Sequence, residues 1–486
     1  MSKAISNLEP KTLWSIFEKI CEIPHPSKNE SKIIDFVLNF AKEHGLDFTK
    51  DNVGNILIRK PATSGMENKQ TVVLQGHLDM VPQKNSETKH DFDKDPINAY
   101  VDGNWVKAKD TTLGADNGIG VAASLAILAE KDLKHGPLEC LFTVDEETGM
   151  TGAFGLKPGF VNGDILLNLD SEDEGELYIG CAGGIDTNAF FECKEEKLPK
   201  EYKTFKLEVK GLKGGHSGLD INLGRGNAIK ILNRLLWIGI KDFQLRISSL
   251  DCGSLRNAIP REAEAIIALP ADSEQKFSEK IKEMNENVKN ELQNIDDGVN
   301  INFTAHSDSS TVMDEQITHK LVKSVYGCPN GAIRMVPGME SVVETSTNLA
   351  ILKSENGKTE IATLQRSSVN SAKEDLCNMV RAVFELGGAE VEHKGEYPGW
   401  KPNMESPILK TMKSVYNQKF DKTPEVKVIH AGLECGLLGN VYPNLDMISF
   451  GPTIRNPHSP DEMVDIESVK RFWDYLVSTL ENITGK

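Results

Sequence analysis

The run Thr71-Val72-Val73-Leu74-Gln75-Gly76-His77-Leu78-Asp79-Met80-Val81 constrains the fold most. Its apolar, β-branched start marks a buried strand. Gly76 breaks the run, and His77 and Asp79 come next at a spacing of two, so both side chains leave the strand end on one face. An imidazole beside a carboxylate is the pairing seen where a metal-binding histidine donates its second N–H outward. Taken alone, the motif reads better as a polar loop after a strand.

The pattern recurs, however. Residues 138–144 form an apolar run ending in Asp145-Glu146-Glu147-Thr148-Gly149, and residues 164–169 one ending in Asp170-Ser171-Glu172. Residues 445–450 lead through a short loop to His458. Helical spacing appears between these runs, at 13–21, 408–420, 434–438 and 466–480. Ser27 and Glu30 have the spacing of a capping box for a helix to about His44. Gly114-Ala115-Asp116-Asn117-Gly118-Ile119-Gly120 opens an Ala-rich helix, without the order of a dinucleotide or phosphate loop. Strands alternating with helices imply an α/β domain, a mostly parallel sheet with helices on both faces. Ligands of such sheets gather outside the carboxyl ends of the strands. Carboxylates collected there repel unless a cation compensates. Imidazole and carboxylate donors without a thiolate suit zinc, cobalt or manganese.

The texture changes near residue 190. Strands at 205–209, 243–249, 262–269 and 299–304, with helices at 227–238 and 273–292, give a βαββαβ order, the ferredoxin-like arrangement. A similar set comes after it: helix 315–326, strands 341–352 and 360–366, helix 371–386 and strand 389–393. The expected organisation is an α/β domain over 1–189, an inserted α+β domain of two ferredoxin-like halves over 190–397, and the rest of the α/β domain over 398–486.

Charge and cysteine usage narrow the function. The net charge is 55 − 72 = −17, which argues against nucleic acid or an acidic membrane as the main partner. No apolar run is long enough to span a bilayer, and the N-terminus lacks the apolar core of a signal peptide. The eight cysteines are scattered, with no C-x-x-C pair, as expected for reduced thiols in a cytoplasmic protein.

In order along the chain, Gln75-Gly76-His77-Leu78-Asp79, Gly114-Ala115-Asp116-Asn117-Gly118, Asp145-Glu146-Glu147-Thr148-Gly149, Asn168-Leu169-Asp170-Ser171-Glu172 and Asn456-Pro457-His458-Ser459-Pro460-Asp461-Glu462 resemble the dinuclear-zinc aminoacylase and dipeptidase metallopeptidases, in particular their dipeptidase branch. The resemblance spans essentially the whole chain. It implies two divalent ions, zinc first and cobalt or manganese next. His77, Asp116 and Asp170 would hold one ion, and Asp116, Glu147 and His458 the other, with Asp116 bridging. Glu146 would be the general base, Asp79 the partner of His77, and the Asp116–Asn117 peptide cis. Without its four partner motifs, Asp145-Glu146-Glu147 would be a solvated acidic turn.

The same resemblance assigns His216, in Lys213-Gly214-Gly215-His216-Ser217-Gly218, to oxyanion stabilisation from its own chain or a neighbouring one; a loop histidine near a turn is the alternative. Asn257 and Arg366 would hold a substrate carboxylate, although Arg366 could equally be a strand-edge residue in a surface ion pair. Glu434 would hold a free amino group, oriented by His430, unless it merely caps a helix. The implied function is hydrolysis of dipeptides, Xaa-His substrates among them, by a monomer or homodimer. An N-acyl amino-acid deacylase or carboxypeptidase is the alternative within hydrolases, and a non-catalytic peptide-binding protein the alternative outside them.

Overall fold

Val72–His77, Leu138–Thr143 and Ile165–Asn168 are buried at every residue, as strands covered on both sides must be. In the computed structural model, which describes residues 5–307 and 309–485, these strands run parallel. His77 lies opposite Thr143 and Gln75 opposite Asn168. Asp446–Ser449 extends the parallel set beside Ile165–Asn168. The complete eight-stranded sheet has the order 47–50, 56–60, 138–143, 72–77, 165–168, 446–449, 176–181, 425–429. The parallel arrangement expected from the sequence holds for its four central strands; the neighbours on either side, Ile56–Lys60 and Glu176–Cys181, pair antiparallel.

The helix Ala115–Ala129 packs on Val72–His77 and against the helix Lys11–Cys21. Small residues make the approach possible, since a Cβ on Gly118 would lie 2.9 Å from the Phe17 ring. The sequence places Ser27 as a helix cap, but the helix Ser31–Glu43 starts from Glu30 with no side-chain cap. A left-handed Lys28 (φ 69°) and a bridge between Pro26 and Met80 bring this segment to the end of the first central strand instead. There the Ser27 hydroxyl donates to Asp79 Oδ2 at 2.8 Å.

The chain divides at Gly180/Cys181 and Lys401/Pro402, and Ile429–Gly432 also belongs to the second unit. The boundaries read from the sequence, 189/190 and 397/398, cut inside or at the edge of strands: Gly183–Glu192 is one continuous strand and Glu390–Tyr397 another. In the second unit Tyr202–Lys210, Arg246–Cys252, Ala263–Pro270 and Asn300–His306 form an antiparallel set in the order 4-1-3-2. This is the ferredoxin-like order.

The second set read from the sequence lacks an opening strand. The structure supplies it from before the first set: Gly183–Glu192 lies between Lys358–Ser367 and Glu390–Tyr397. One ferredoxin-like half is thus nested inside the other. Their second strands meet edge to edge, Asp251 opposite Lys353, giving one nine-stranded sheet. The helices Ala228–Phe243, Glu274–Glu291, Glu315–Gly327 and Asn370–Leu386 bury their apolar faces in the core of this unit. Among the described residues no helix is long and apolar enough to cross a membrane, and all eight cysteines are buried and outside any disulfide.

Candidate metal centre

The four central strands run in one direction, so the residues at or beyond their carboxyl ends are delivered to one edge of the sheet. His77 is the last residue of its strand. Glu146 and Glu147 open a short helix after Thr143, entered through a left-handed Asp145 (φ 53°). Asp170 lies two residues past Asn168, the end of its strand. His458 stands in the loop of a two-stranded ladder, Ile454 opposite Val464 and Arg455 opposite Met463, itself in a left-handed conformation (φ 59°). For an L-residue that conformation costs about 1–2 kcal/mol, a strain that functional loops commonly carry.

Donor atoms of His77, Asp116 and Asp170 converge within 4.8 Å of one another, and so do those of Asp116, Glu147 and His458. Asp116 divides its carboxylate between the two groups. Its Oδ1 lies 3.2 Å from His77 Nε2, and its Oδ2 lies 3.2 Å from His458 Nε2. Asp170 Oδ1 is 3.3 Å from His77 Nε2, and Glu147 Oε2 is 3.0 Å from His458 Nε2. The Asp116–Asn117 peptide is cis. His77 Nδ1 is 3.0 Å from the Asp79 main-chain carbonyl. Donation of the Nδ1–H to that oxygen leaves the Nε2 lone pair turned towards two carboxylates.

These donors fit a divalent cation. Among the described residues Glu147 Oε1 is buried without a hydrogen-bond partner and Asp170 Oδ1 faces only the His77 ring, an arrangement that is costly for carboxylate oxygens unless something positive meets them. Burial lifts the carboxyls of Glu146 and Asp170 well above the ordinary range. Asp116 is also pushed up by burial, but the neighbouring His458 and His77 rings outweigh this and hold it low. Hydrogen bonds to Asp116 and Glu147 raise His458 to about 11.

The Asp79 carboxylate stands beside His77, as the sequence expects, but it is not the nearest Asp79 oxygen to that ring. The carbonyl of Asp79, rather than its side chain, makes the short contact to His77; the carboxylate Oδ1 stands 3.4 Å from Nδ1. That carboxylate also accepts from the backbone N–H groups of Glu146 (3.0 Å) and Glu147 (3.2 Å) and from Ser27. Burial works against its charge, but His77, the Glu146 amide and Ser27 hold it at about 2.

Glu434 belongs to the same unit and is fully buried. Its Oε2 accepts from Gln75 Nε2 (2.6 Å) and Thr143 Oγ1 (2.8 Å), while Oε1 is buried with no partner. Its side chain therefore does not cap its own helix, and burial lifts its carboxyl to about 7. Orientation of Glu434, which the sequence gives to His430, falls to Gln75 and Thr143. His430 Nε2 hydrogen-bonds Ser346 Oγ at 2.7 Å. Gln75 could have been found from the sequence, because it precedes His77 by two residues and shares its face.

The remaining candidates lie in the second unit. His216 Nδ1 accepts from the backbone N–H groups of Gly218 (3.2 Å) and Leu219 (3.1 Å). This fixes a neutral ring with its proton on Nε2. Burial and the Arg366 charge lower its pKa, in that order. Arg366 is 6% exposed and bonds Tyr397 Oη (2.9 Å) and Ser217 Oγ (3.4 Å), with no carboxylate partner among the described residues. A surface ion pair is thereby excluded for Arg366. The side chain of Asn257 is exposed, and its carbonyl accepts from Ser217 N at 2.8 Å.

Comparison with known proteins agrees along the whole chain. The chain is 48% identical to the cytosol non-specific dipeptidase of Escherichia coli (strain K12) over 482 residues, 99% of each chain. It superposes on the crystal structure of aminoacylhistidine dipeptidase from Vibrio alginolyticus with a TM-score of 0.96 at 49% identity, covering 100% of this chain and 99% of the other. Aminopeptidase PepT from Bacillus cereus shares the fold, with a TM-score of 0.57 at 16% identity over 98% and 99% of the two chains. The model of peptidase family M20/M25/M40 matches residues 73–482, and with the full-length relative it establishes that this chain belongs to that family.

Proposed function

We propose that the chain hydrolyses dipeptides with two divalent ions, zinc, cobalt or manganese, held by His77, Asp116 and Asp170 on one side and Asp116, Glu147 and His458 on the other. The observation that carries this reading is Asp116, whose two oxygens each face a different histidine. Such ions polarise a carbonyl and acidify water. Glu146, buried and lifted in pKa, then takes a proton from the attacking water. As the C–O bond forms and the C–N bond breaks, it returns that proton to the leaving amine. Asp79 positions Glu146 and Glu147 through their backbone amides.

The other residues suit the ends of a dipeptide. His216 offers an Nε2–H to a developing oxyanion. Arg366, buried and without an anion, suits a C-terminal carboxylate, and the exposed Asn257 is a second candidate for the same group. The unpartnered Oε1 of Glu434 suits a free α-ammonium group. Buried polar groups built for a charged partner reject analogues that lack it. The names of the two full-length relatives support the substrate class, Xaa-His dipeptides included, and one of them supports a cytosolic location.

The test compares one dipeptide with its N-acetylated and C-amidated forms. The reading expects kcat/KM to fall at least about tenfold for each blocked form, the lower end for losing a charge-assisted hydrogen bond. Preference for the N-acetylated form would turn the chain into a deacylase.

A further inference from the structure

The loop that carries His458 ends in a second buried carboxylate, Glu462, 2% exposed. It meets no cation. Instead its two oxygens take four consecutive backbone N–H groups. Oε2 accepts from Leu113 (2.7 Å) and Gly114 (3.0 Å), and Oε1 from Ala115 (2.8 Å) and Asp116 (3.3 Å). Successive N–H groups converge in this way only when the backbone curls into a nest. Gly114 supplies the required left-handed residue at φ 71°, and a Cβ there would press on the Met80 sulfur at 3.1 Å.

The nest ends at the residue whose carboxylate divides between the two donor groups. On the far side of Asp116, the Asn117 side chain donates to the Leu169 carbonyl at 2.6 Å, next to Asp170. Asp116 therefore hangs between two anchors, each rooted beside another proposed ligand: Glu462 four residues after His458, and Leu169 one residue before Asp170.

We propose that Glu462 is a positioning residue for Asp116: by gripping the 113–116 nest it sets where the bridging carboxylate stands and ties that position to the His458 loop. The proposal rests on the dimetal reading. Partners that orient metal ligands typically contribute 10–100-fold to metal affinity or activity. A glutamine at 462 keeps the shape but offers one acceptor oxygen, so its NH2 opposes the N–H groups on the other side of the nest.

The experiment titrates metal-free wild type, Glu462→Gln and Glu462→Asp with Co2+. Ligand-field absorption and competition with a chromophoric chelator are the readouts, with far-UV circular dichroism of the metal-free proteins for fold. The expected result is native circular dichroism for Glu462→Gln, Co2+ affinity weakened about 10–100-fold, and an altered ligand-field spectrum. Glu462→Asp, which keeps both acceptor oxygens, should recover part of the affinity.

A Glu462→Gln protein with wild-type affinity and spectrum would overturn the proposal. So would a protein whose metal-free fold weakens while its Co2+ affinity does not, because Glu462 would then serve only the helix start. Should Glu462→Gln fail to fold, Glu462→Asp decides by the same titration: weaker affinity with a changed spectrum supports positioning, and wild-type values refute it. Wild type that takes up no Co2+ would instead sink the dimetal reading on which the proposal rests.

Discussion

Glu146 and Glu147 are neighbours in sequence with separate surroundings. Glu147 Oε2 faces His458 at 3.0 Å, whereas Glu146 is lifted in pKa by burial and by neighbouring negative charge, Asp170 first, with His77 opposing. Replacing Glu146 by glutamine preserves shape and leaves the proposed ligand carboxylates in place. Glu146→Gln should bind metal as wild type does and lose about 10²–10⁴-fold in kcat, the usual contribution of a general base. Metal content and turnover measured on one sample check both halves. In the second unit, burial first and then the Arg366 charge depress His430 to about 3, against an ordinary 6.5. A depressed histidine contributes full stability above its unfolded pKa and loses it as the pH falls towards the folded value. Between pH 7 and pH 5 the loss should reach about 2 kcal/mol, at a limiting slope of about 1.4 kcal/mol per pH unit. Denaturant unfolding at both pH values should show this part of the acid sensitivity in wild type and not in His430→Gln.

Elements are more legible in the sequence than their partners. Three of the four central strands of the first unit are marked by an apolar run that leads directly to a charged or imidazole residue, and the fourth reaches His458 through a short loop, because burial on both faces and chemistry at the carboxyl end leave opposite compositions. The hidden features depend on pairing across sequence distance, or on which oxygen of a residue is used. The sequence sets Asp79 beside His77 correctly, but composition cannot distinguish its carbonyl from its carboxylate. Glu462 stands at the end of the His458 motif with no role legible there, because four backbone amides leave no trace in side-chain identity. Gly183–Glu192 looks like the end of the first domain, since its partner Lys358–Ser367 arrives only after a whole ferredoxin-like half. Domain excision tests that assignment. Residues 181–401 expressed alone should unfold cooperatively in denaturant, and residues 190–397 should not. Starting at 190 deletes most of a strand paired on both sides. At about 1 kcal/mol net per hydrogen bond, the loss approaches the ~5–15 kcal/mol that holds a typical domain together.

At the scale of the whole chain, acidic charge is concentrated where it is hardest to tolerate. Asp116, Glu146, Glu147 and Asp170 share one edge of the first unit's sheet, with donor atoms in overlapping clusters. The second unit contributes none of these residues and has a separate apolar core. Divalent ions bound by the folded first unit, and not by its unfolded chain, stabilise that unit by mass action, about 2.7 kcal/mol per site at a hundred times Kd. For a unit of this size that corresponds to roughly 5–10 °C in Tm for each ion. Calorimetry should therefore resolve two transitions with unequal responses. Adding a chelator should lower the transition of the first unit by that amount per ion and leave the other in place, and restoring zinc, cobalt or manganese should bring it back. A scan in which both transitions move together would mean that the metals stabilise the two units as one cooperative body. A scan in which neither moves would show that the clustered carboxylates do not depend on cations for their stability.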